Sequence, residues 1–127
     1  MSDNVPENLK YTKEHEWARQ EGSVIVVGIT AHAVTTLGDI VFLELPKVGA
    51  TVTADKQFGV VESVKAVSDL FAPLSGKVVK VNDEAVSSPE TLNDDCYGDG
   101  WLIHIEPSDS KQFAGLLDAK AYQELLK

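Results

Sequence analysis

The chain has 127 residues, of which 43% are hydrophobic, so it is long enough for one core and too apolar for an intrinsically disordered protein. Its 20 acidic and 11 basic side chains give a formal net charge of −9, which repels phosphate backbones and argues against nucleic-acid binding. The single cysteine excludes an internal disulfide, and no apolar run approaches membrane-spanning length. We therefore expect one monomeric domain over residues 1–127, with neither nucleic acid nor membrane among its partners.

The N-terminal residues carry no signal-peptide or transit-peptide pattern. We expect a cytoplasmic location for a bacterial protein, or the mitochondrial matrix for a mature eukaryotic form.

Alternating runs between turn residues predict a series of short strands. The predicted strands are residues 11–19, 23–29, 39–44, 58–64, 66–72, 77–81 and 101–106. Residues 77–81 alternate throughout between apolar and polar positions, whereas residues 82–100 are predicted to form a polar loop. Many short strands with few helices indicate a mainly β fold, either a small sandwich or a barrel.

Two regions are predicted to be helical. Thr30 is a suitable N-cap for a short helix over residues 30–37, which Gly38 would end. After residue 107, the sequence Ser-Asp-Ser offers an N-cap for a helical tail over residues 108–127. Within that tail, Asp118 is placed to cap a second short helix.

Lys65 is one cation in an apolar, β-branched run, and we expect it at the tip of a hairpin over about residues 57–72. It could be an ordinary surface lysine, a Schiff-base lysine, or an attachment point for a carried group. A Schiff-base lysine needs a desolvated pocket that lowers its pKa, and a hairpin tip does not provide one. A tip does suit attachment, because a modifying enzyme must reach the amine. Composition alone still favours the ordinary surface lysine.

The remaining reactive residue types give no case for a catalytic or metal site. His32 and His104 lack cysteine or second-histidine partners at metal-binding spacing, so we expect no metal. Cys96 has no neighbouring basic group that would make it a nucleophile.

The sequence around Lys65 resembles a lipoyl-attachment region. Glu-Ser-Val-Lys-Ala at 62–66 is followed by Ser-Asp at 68–69 and Ser-Gly at 75–76, and further matching blocks occur at 11–17, 28–46 and 98–102. In this order the blocks resemble the H proteins of the glycine cleavage system, from about residue 9 to residue 126. Valine and alanine flank the lysine, unlike the methionines of biotin carriers or the Asp-Lys-Ala tip of 2-oxo-acid dehydrogenase lipoyl domains.

The resemblance implies a carrier without enzymatic activity, folded as a flattened barrel-sandwich hybrid of short antiparallel strands. Lipoate would be bound covalently to Lys65 in amide linkage. The implied partners are a pyridoxal-phosphate glycine decarboxylase, a folate-dependent aminomethyltransferase and dihydrolipoamide dehydrogenase. A lipoate ligase or a lipoyl/octanoyl transferase would attach the arm. The alternative within the same family is an H-like relay protein that donates lipoyl groups to other enzymes.

The resemblance also implies where a loaded arm rests. In the family the arm folds back against the segment matching Glu14, His15 and Glu16, and against the residue matching Asp69. Glu16 and Asp69 fit the family pattern, whereas some members have a small hydroxyl residue where Glu14 stands. His15 is either a neighbour of this pocket or an ordinary surface residue.

The residues next to Lys65 are candidates for recognition by the lipoylating enzyme. They are Glu62, Ser63, Val64 and Ala66. The alternative for Glu62 and Ser63 is a purely structural role in the hairpin strands.

Overall fold

The computed structural model of the protein describes residues 5–109 and 111–126. Two antiparallel sheets make up most of this part of the chain. The strands are β1 (Lys10–Tyr11), β2 (Glu16–Glu21), β3 (Val24–Ile29), β4 (Ile40–Glu44), β5 (Thr51–Val52), β6 (Gln57–Ser63), β7 (Val67–Phe71), β8 (Gly76–Val81) and β9 (Ile103–Pro107). The helices are α1 (Ala31–Leu37), α2 (Asp83–Ser87), α3 (Thr91–Asp94), α4 (Lys111–Ala114) and α5 (Ala119–Leu125).

The larger sheet has the strand order β1-β2-β3-β9-β8-β5, and the smaller sheet has the order β4-β6-β7. Their inner faces share one core, in which Leu43, Val61 and Leu70 of the small sheet join Val27 and Ile105 of the large one. Burying these side chains is the main stabilising contribution to such a sandwich. The predicted mainly β fold is confirmed, as a flattened sandwich whose sheets do not close into a barrel within the described residues.

The first predicted strand is wrong in one respect, since residues 11–19 form two strands separated by a turn. β1 ends at Tyr11, β2 begins at Glu16, and Tyr11 pairs with Trp17 across the turn. The turn requires a left-handed backbone at His15, whose φ is 72°. A run of alternating residues does not reveal such a turn. The predicted pairing of this region with β3 is confirmed.

Helix α1 has the ends that its sequence predicts. The Thr30 side chain accepts a hydrogen bond from the Ala33 N–H at 3.2 Å. Gly38 ends the helix with φ 83° and ψ −149°, a conformation that is essentially confined to glycine. The chain then enters β4.

The prediction of a polar loop over residues 82–100 is wrong, because α2 and α3 lie within it. Asn82 is buried, caps α2 by accepting from the Ala85 N–H, and donates to two carbonyl oxygens farther along the chain. Ala85 and Leu92 are fully buried. These two apolar contacts are too widely spaced to give a helical period, but they are enough to fix two short helices.

Strand β8 also departs from its predicted alternation. The register shifts between Val78 and Lys80, so that Val79 and Lys80 are both exposed. A bulge of this kind places two residues opposite one on the partner strand.

The helical tail begins at Lys111 in the described part of the chain, and the predicted capping position Ser110 lies outside the described residues. Asp118 caps α5 as predicted, accepting from the Ala121 N–H at 2.8 Å. Tyr122 of α5 stacks on Tyr11, with ring centroids 4.6 Å apart. The tail is therefore packed against the edge of the large sheet.

Candidate functional site: the lysine hairpin and the adjacent cleft

Lys65 lies at the tip of the β6–β7 hairpin, as its sequence predicts. The Ser63 N–H donates to the Ala66 carbonyl at 2.8 Å, which closes a tight turn. The Ser63 hydroxyl oxygen accepts from the N–H groups of Lys65 and Ala66 at 3.3 and 3.0 Å. Val64, Lys65 and Ala66 are exposed, so the lysine is presented to solvent on a turn whose backbone is held by hydrogen bonds.

A second segment supports the tip from the side. The Val64 N–H donates to the Asp39 carbonyl at 3.1 Å, which joins the tip to the turn between α1 and β4. A Cβ at Gly38 would lie 3.4 Å from Cε of Lys65, so the lysine stem lies close to this glycine. The amine thus extends from a tip that is held at two points.

The candidate recognition residues differ in exposure. Glu62 lies on the outer face of the small sheet, between Phe42 and Val67 in the cross-strand register. Ser63 is buried and its hydroxyl is used within the turn, so its role in recognition would be to shape the tip. Val64 is 71% exposed and is accessible to a modifying enzyme.

A cleft of about 470 Å³ lies between the turn after β1, the end of β7 and the helical tail. Its polar lining includes the carboxylates of Glu14, Glu16 and Asp55, together with the amine of Lys13. Its apolar walls include Phe71 and Leu117. The cleft therefore offers carboxylates for a cation next to an apolar surface for a hydrocarbon chain.

Glu16 is the most unusual group in the cleft, because it is a carboxyl side chain that is only 1% exposed. The Thr12 hydroxyl donates to Oε1 at 2.5 Å, and the Phe71 N–H donates to Oε2 at 3.1 Å. Burial raises the pKa of Glu16 to about 7, these two hydrogen bonds oppose the shift, and the charges of Glu14 and Asp55 add to it. Near neutral pH this carboxyl is thus poised between its protonated and ionised forms.

His15 contacts residues of two helices, Tyr122 of α5 and His32 of α1. Its Nδ1 lies 2.7 Å from the Tyr122 hydroxyl, and its ring centroid lies 4.6 Å from that of His32. Its carbonyl accepts from the Thr30 N–H at 3.0 Å. It is not among the residues that line the cleft, and it fixes the turn that carries Glu14 and Glu16.

Asp69 lies on β7 between the lysine tip and the mouth of the cleft. Its carboxylate accepts from Gln57 Nε2 at 3.0 Å and is exposed. Because side chains alternate along a strand, Asp69 shares its face with Val67 and Phe71. Phe71 lines the cleft and Asp69 does not, so Asp69 lies on the strand between Lys65 and the cleft.

Sequence reasoning missed Asp55, which joins the two glutamates at the cleft. It adopts φ 66°, and its N–H donates to the Ala72 carbonyl at 2.8 Å. A left-handed conformation is tolerated by aspartate in turns, but the sequence around it gives no sign that this turn faces residues 14–16.

Other reactive groups lie away from the hairpin and the cleft. Burial raises the pKa of the Cys96 thiol to about 11, so little reactive thiolate forms at neutral pH. Within residues 5–109 and 111–126, no group of three or more metal-binding side chains is arranged to hold a metal ion. No helix in the same ranges is long and apolar enough to cross a membrane.

The chain matches the family model described as glycine cleavage H-protein over residues 9–127. It is 62% identical to the glycine cleavage system H protein of Myxococcus xanthus over 127 residues, which are all of this chain and 98% of that protein. It is 56% identical to the protein of the same name from Symbiobacterium thermophilum over 124 residues, 98% of this chain and 97% of that one. The crystal structure of a glycine cleavage system H protein from Mycobacterium marinum superposes with a TM-score of 0.87 at 44% identity, covering 94% of this chain and 97% of that chain. These matches extend over almost the whole chain.

Proposed function

Because the chain belongs to the glycine cleavage H-protein family and is a lipoyl carrier in glycine cleavage, we propose that Lys65 is the residue that carries the lipoyl group. The observation that supports Lys65 most strongly is its place at the exposed tip of a hairpin that is fixed by backbone hydrogen bonds. An enzyme can reach this amine without any part of the fold opening. The relatives carry the glycine cleavage name, and nothing favours the lipoate-relay alternative.

The residues at the tip fit an amide-linked lipoyl arm. Amide formation removes the lysine charge, and the exposed tip leaves the arm able to move between partner proteins. When bound, the dithiolane supplies the sulfur chemistry, in which a carbon fragment from glycine is accepted and later released. The protein itself acts as a carrier and not as a catalyst.

Three enzymes are proposed to meet this arm in turn. They are a pyridoxal-phosphate glycine decarboxylase, a folate-dependent aminomethyltransferase and dihydrolipoamide dehydrogenase. A lipoate ligase or a lipoyl/octanoyl transferase would attach the arm. The acidic net charge of the chain suits docking against basic surfaces on these partners. The cytoplasmic location stays a prediction.

The cleft is proposed to protect the carried aminomethyl group from water between visits. A protonated amine there would be near the carboxylates of Glu14, Glu16 and Asp55, while Phe71 covers the hydrocarbon part of the arm. Excluding water slows the loss of ammonia from a carbon that bears both nitrogen and sulfur. Asp69 would contact the arm on its way from the tip to the cleft.

Intact-mass measurement tests the attachment site. The protein is incubated with a lipoate ligase, ATP and lipoate, and we expect a mass gain of one lipoyl group in the wild type. The variant Lys65→Arg keeps the charge but should gain nothing. Lys77→Arg, an exposed lysine on β8, is the matched control and should gain one group. An unmodified wild type, or a modified Lys65→Arg, would contradict the proposal.

A further inference from the structure

Asn93, in a region that its sequence predicts as loop, binds the turn that supports the lysine tip. Its Oδ1 accepts from the Ile40 N–H at 2.9 Å, and its Nδ2 donates to the Gly38 carbonyl at 2.8 Å. One side-chain amide therefore holds two backbone groups of the same turn, as a neighbouring strand would. Neither bond can be kept by an apolar side chain, and a carboxylate can keep only one.

The hydrophobic core holds Asn93 in place through its neighbour in the chain. Leu92, the residue before Asn93, is fully buried in the main core cluster. Helix α3, which carries both residues, is only four residues long, so its position depends on that buried leucine more than on helix stability. Asn93 is thereby held at a fixed distance from the two sheets.

The turn held by Asn93 touches the attachment hairpin twice. The carbonyl of Asp39 accepts from the Val64 N–H, and Gly38 lies against the stem of Lys65. The Gly38 carbonyl points to Asn93 while its Cα side faces the lysine. A continuous series of contacts therefore leads from the core through Asn93 to the residue that is to be modified.

We infer that Asn93 is a positioning residue for Lys65, which sets the height and direction in which the lysine amine is presented to the lipoylating enzyme. The inference rests on the proposed function of Lys65. Acyl transfer to an amine requires that the nitrogen and the activated carbonyl meet in a narrow geometry, and small displacements of a reacting group slow such reactions strongly. A hairpin without side support would offer the amine in many orientations.

A purely structural role makes a different prediction. If Asn93 only satisfies backbone groups at the end of α1, its loss lowers the free energy of unfolding but leaves the folded protein an equally good substrate. The two roles are separated by measuring modification under conditions in which every variant is folded.

The experiment compares four apo proteins as substrates of a lipoate ligase with ATP and lipoate. They are the wild type, Asn93→Ala, the isosteric Asn93→Asp, and Asp94→Ala as the control from an exposed position of the same helix. Initial rates are taken from intact mass over a range of protein concentrations. We expect kcat/KM to fall on the order of fivefold in Asn93→Asp, the size expected for losing one ordinary hydrogen bond, and to fall further in Asn93→Ala, which loses both bonds. The control should match the wild type.

Hydrogen exchange is a further readout that ties the effect to the tip. Hydrogen exchange at the Val64 amide should be faster in both Asn93 variants, while amides in the β3–β9 pairing exchange as in the wild type. Asn93→Asp keeps the shape and the acceptor of Asn93 and loses only the bond to the Gly38 carbonyl. Modification of this variant at the wild-type rate therefore overturns the inference. Equal rates in all four proteins also overturn it, whatever their unfolding temperatures. A wild type that gains no lipoyl group instead overturns the proposed function, and the inference with it.

Discussion

The lysine tip and the cleft are built in opposite ways. The tip is made by four consecutive residues, 63–66, with one supporting turn, and its Val64 is 71% exposed. The cleft is assembled from segments that are far apart along the chain, and its Glu16 is 1% exposed. The tip is held by backbone hydrogen bonds, whereas in the cleft the burial of the Glu16 carboxyl opposes its ionisation.

This difference matches two demands on a carrier. The attachment amine has to be reached by enzymes, which favours an exposed group on a fixed backbone. The carried amine has to be kept from water, which favours a partly dry site with carboxylates. An ionised carboxylate as deeply buried as Glu16 lowers the free energy of unfolding. This destabilisation can be measured, and the exposed tip has no equivalent.

The largest expected effect concerns Glu16. Its pKa is about 7 in the folded protein and near 4.5 in an exposed chain. As pH rises from about 4.5 to about 7, the unfolded state loses the proton first, so stability falls by about 3 kcal/mol and stays low above pH 7. The variant Glu16→Gln does not titrate. The difference in unfolding free energy between Glu16→Gln and the wild type should therefore grow by this amount as pH rises between these two values. Urea denaturation at a series of pH values measures it.

Glu44→Gln, at an exposed position outside the cleft, is the control for the loss of one carboxylate. A pH-independent difference between Glu16→Gln and the wild type would show that the buried carboxyl does not hold its proton near neutrality.

The next effect concerns the tip. Gly38→Ala places an alanine at φ 83° and ψ −149° and brings a Cβ to 3.4 Å from Lys65 Cε. We expect a loss of about 2 kcal/mol in stability from backbone strain, and slower lipoylation because the strained turn is the one that supports the lysine tip. Gly49→Ala has a similar positive φ, 97°, with no neighbouring atom within 4 Å. Gly49→Ala should lose stability but keep the wild-type rate of lipoylation. Equal rates in the two variants would contradict a role of the Gly38 turn in presenting Lys65.

The smallest effect concerns Asp69, which lies between the two regions. Asp69→Ala should leave lipoylation unchanged and speed ammonia loss from the loaded arm about threefold, since an exposed charge contact contributes less than about 1 kcal/mol. Glu44→Ala, on the same sheet but two strands away, is the control. Ammonia release is measured over time in the absence of partner enzymes. If both variants release ammonia at the wild-type rate, the arm does not pass Asp69.

The contrast between the lysine tip and the cleft also explains which features can be predicted from the sequence. Lys65 and its hairpin are local, because strand-forming residues on both sides and the turn itself lie within about 15 positions of each other. The resemblance adds Glu14, Glu16 and Asp69 by matching whole blocks. The burial of Glu16 needs the Phe71 N–H, which comes from a strand 55 positions away. A pattern of neighbouring residues cannot reveal a contact between residues so far apart along the chain.

Asn93 and the helices around it show a second limit. The segment 82–100 is rich in polar residues, and its two short helices are fixed by Asn82 and by single buried side chains such as Leu92. The bonds from Asn93 to residues 38 and 40 join parts of the chain that no periodicity relates. Tertiary contacts thus decide the structure where local preferences are weak.

The most direct test is an amide NMR spectrum of isotopically labelled protein bearing the lipoyl arm on Lys65, recorded before and after the arm is loaded with its aminomethyl group. If the tip carries the arm and the cleft protects its load, loading should shift the amides of residues 12–16 and of Phe71, which lie at the cleft and not at the tip. Shifts confined to residues 63–67 would show that the loaded arm stays in solvent at the tip, and would contradict the proposed role of the cleft.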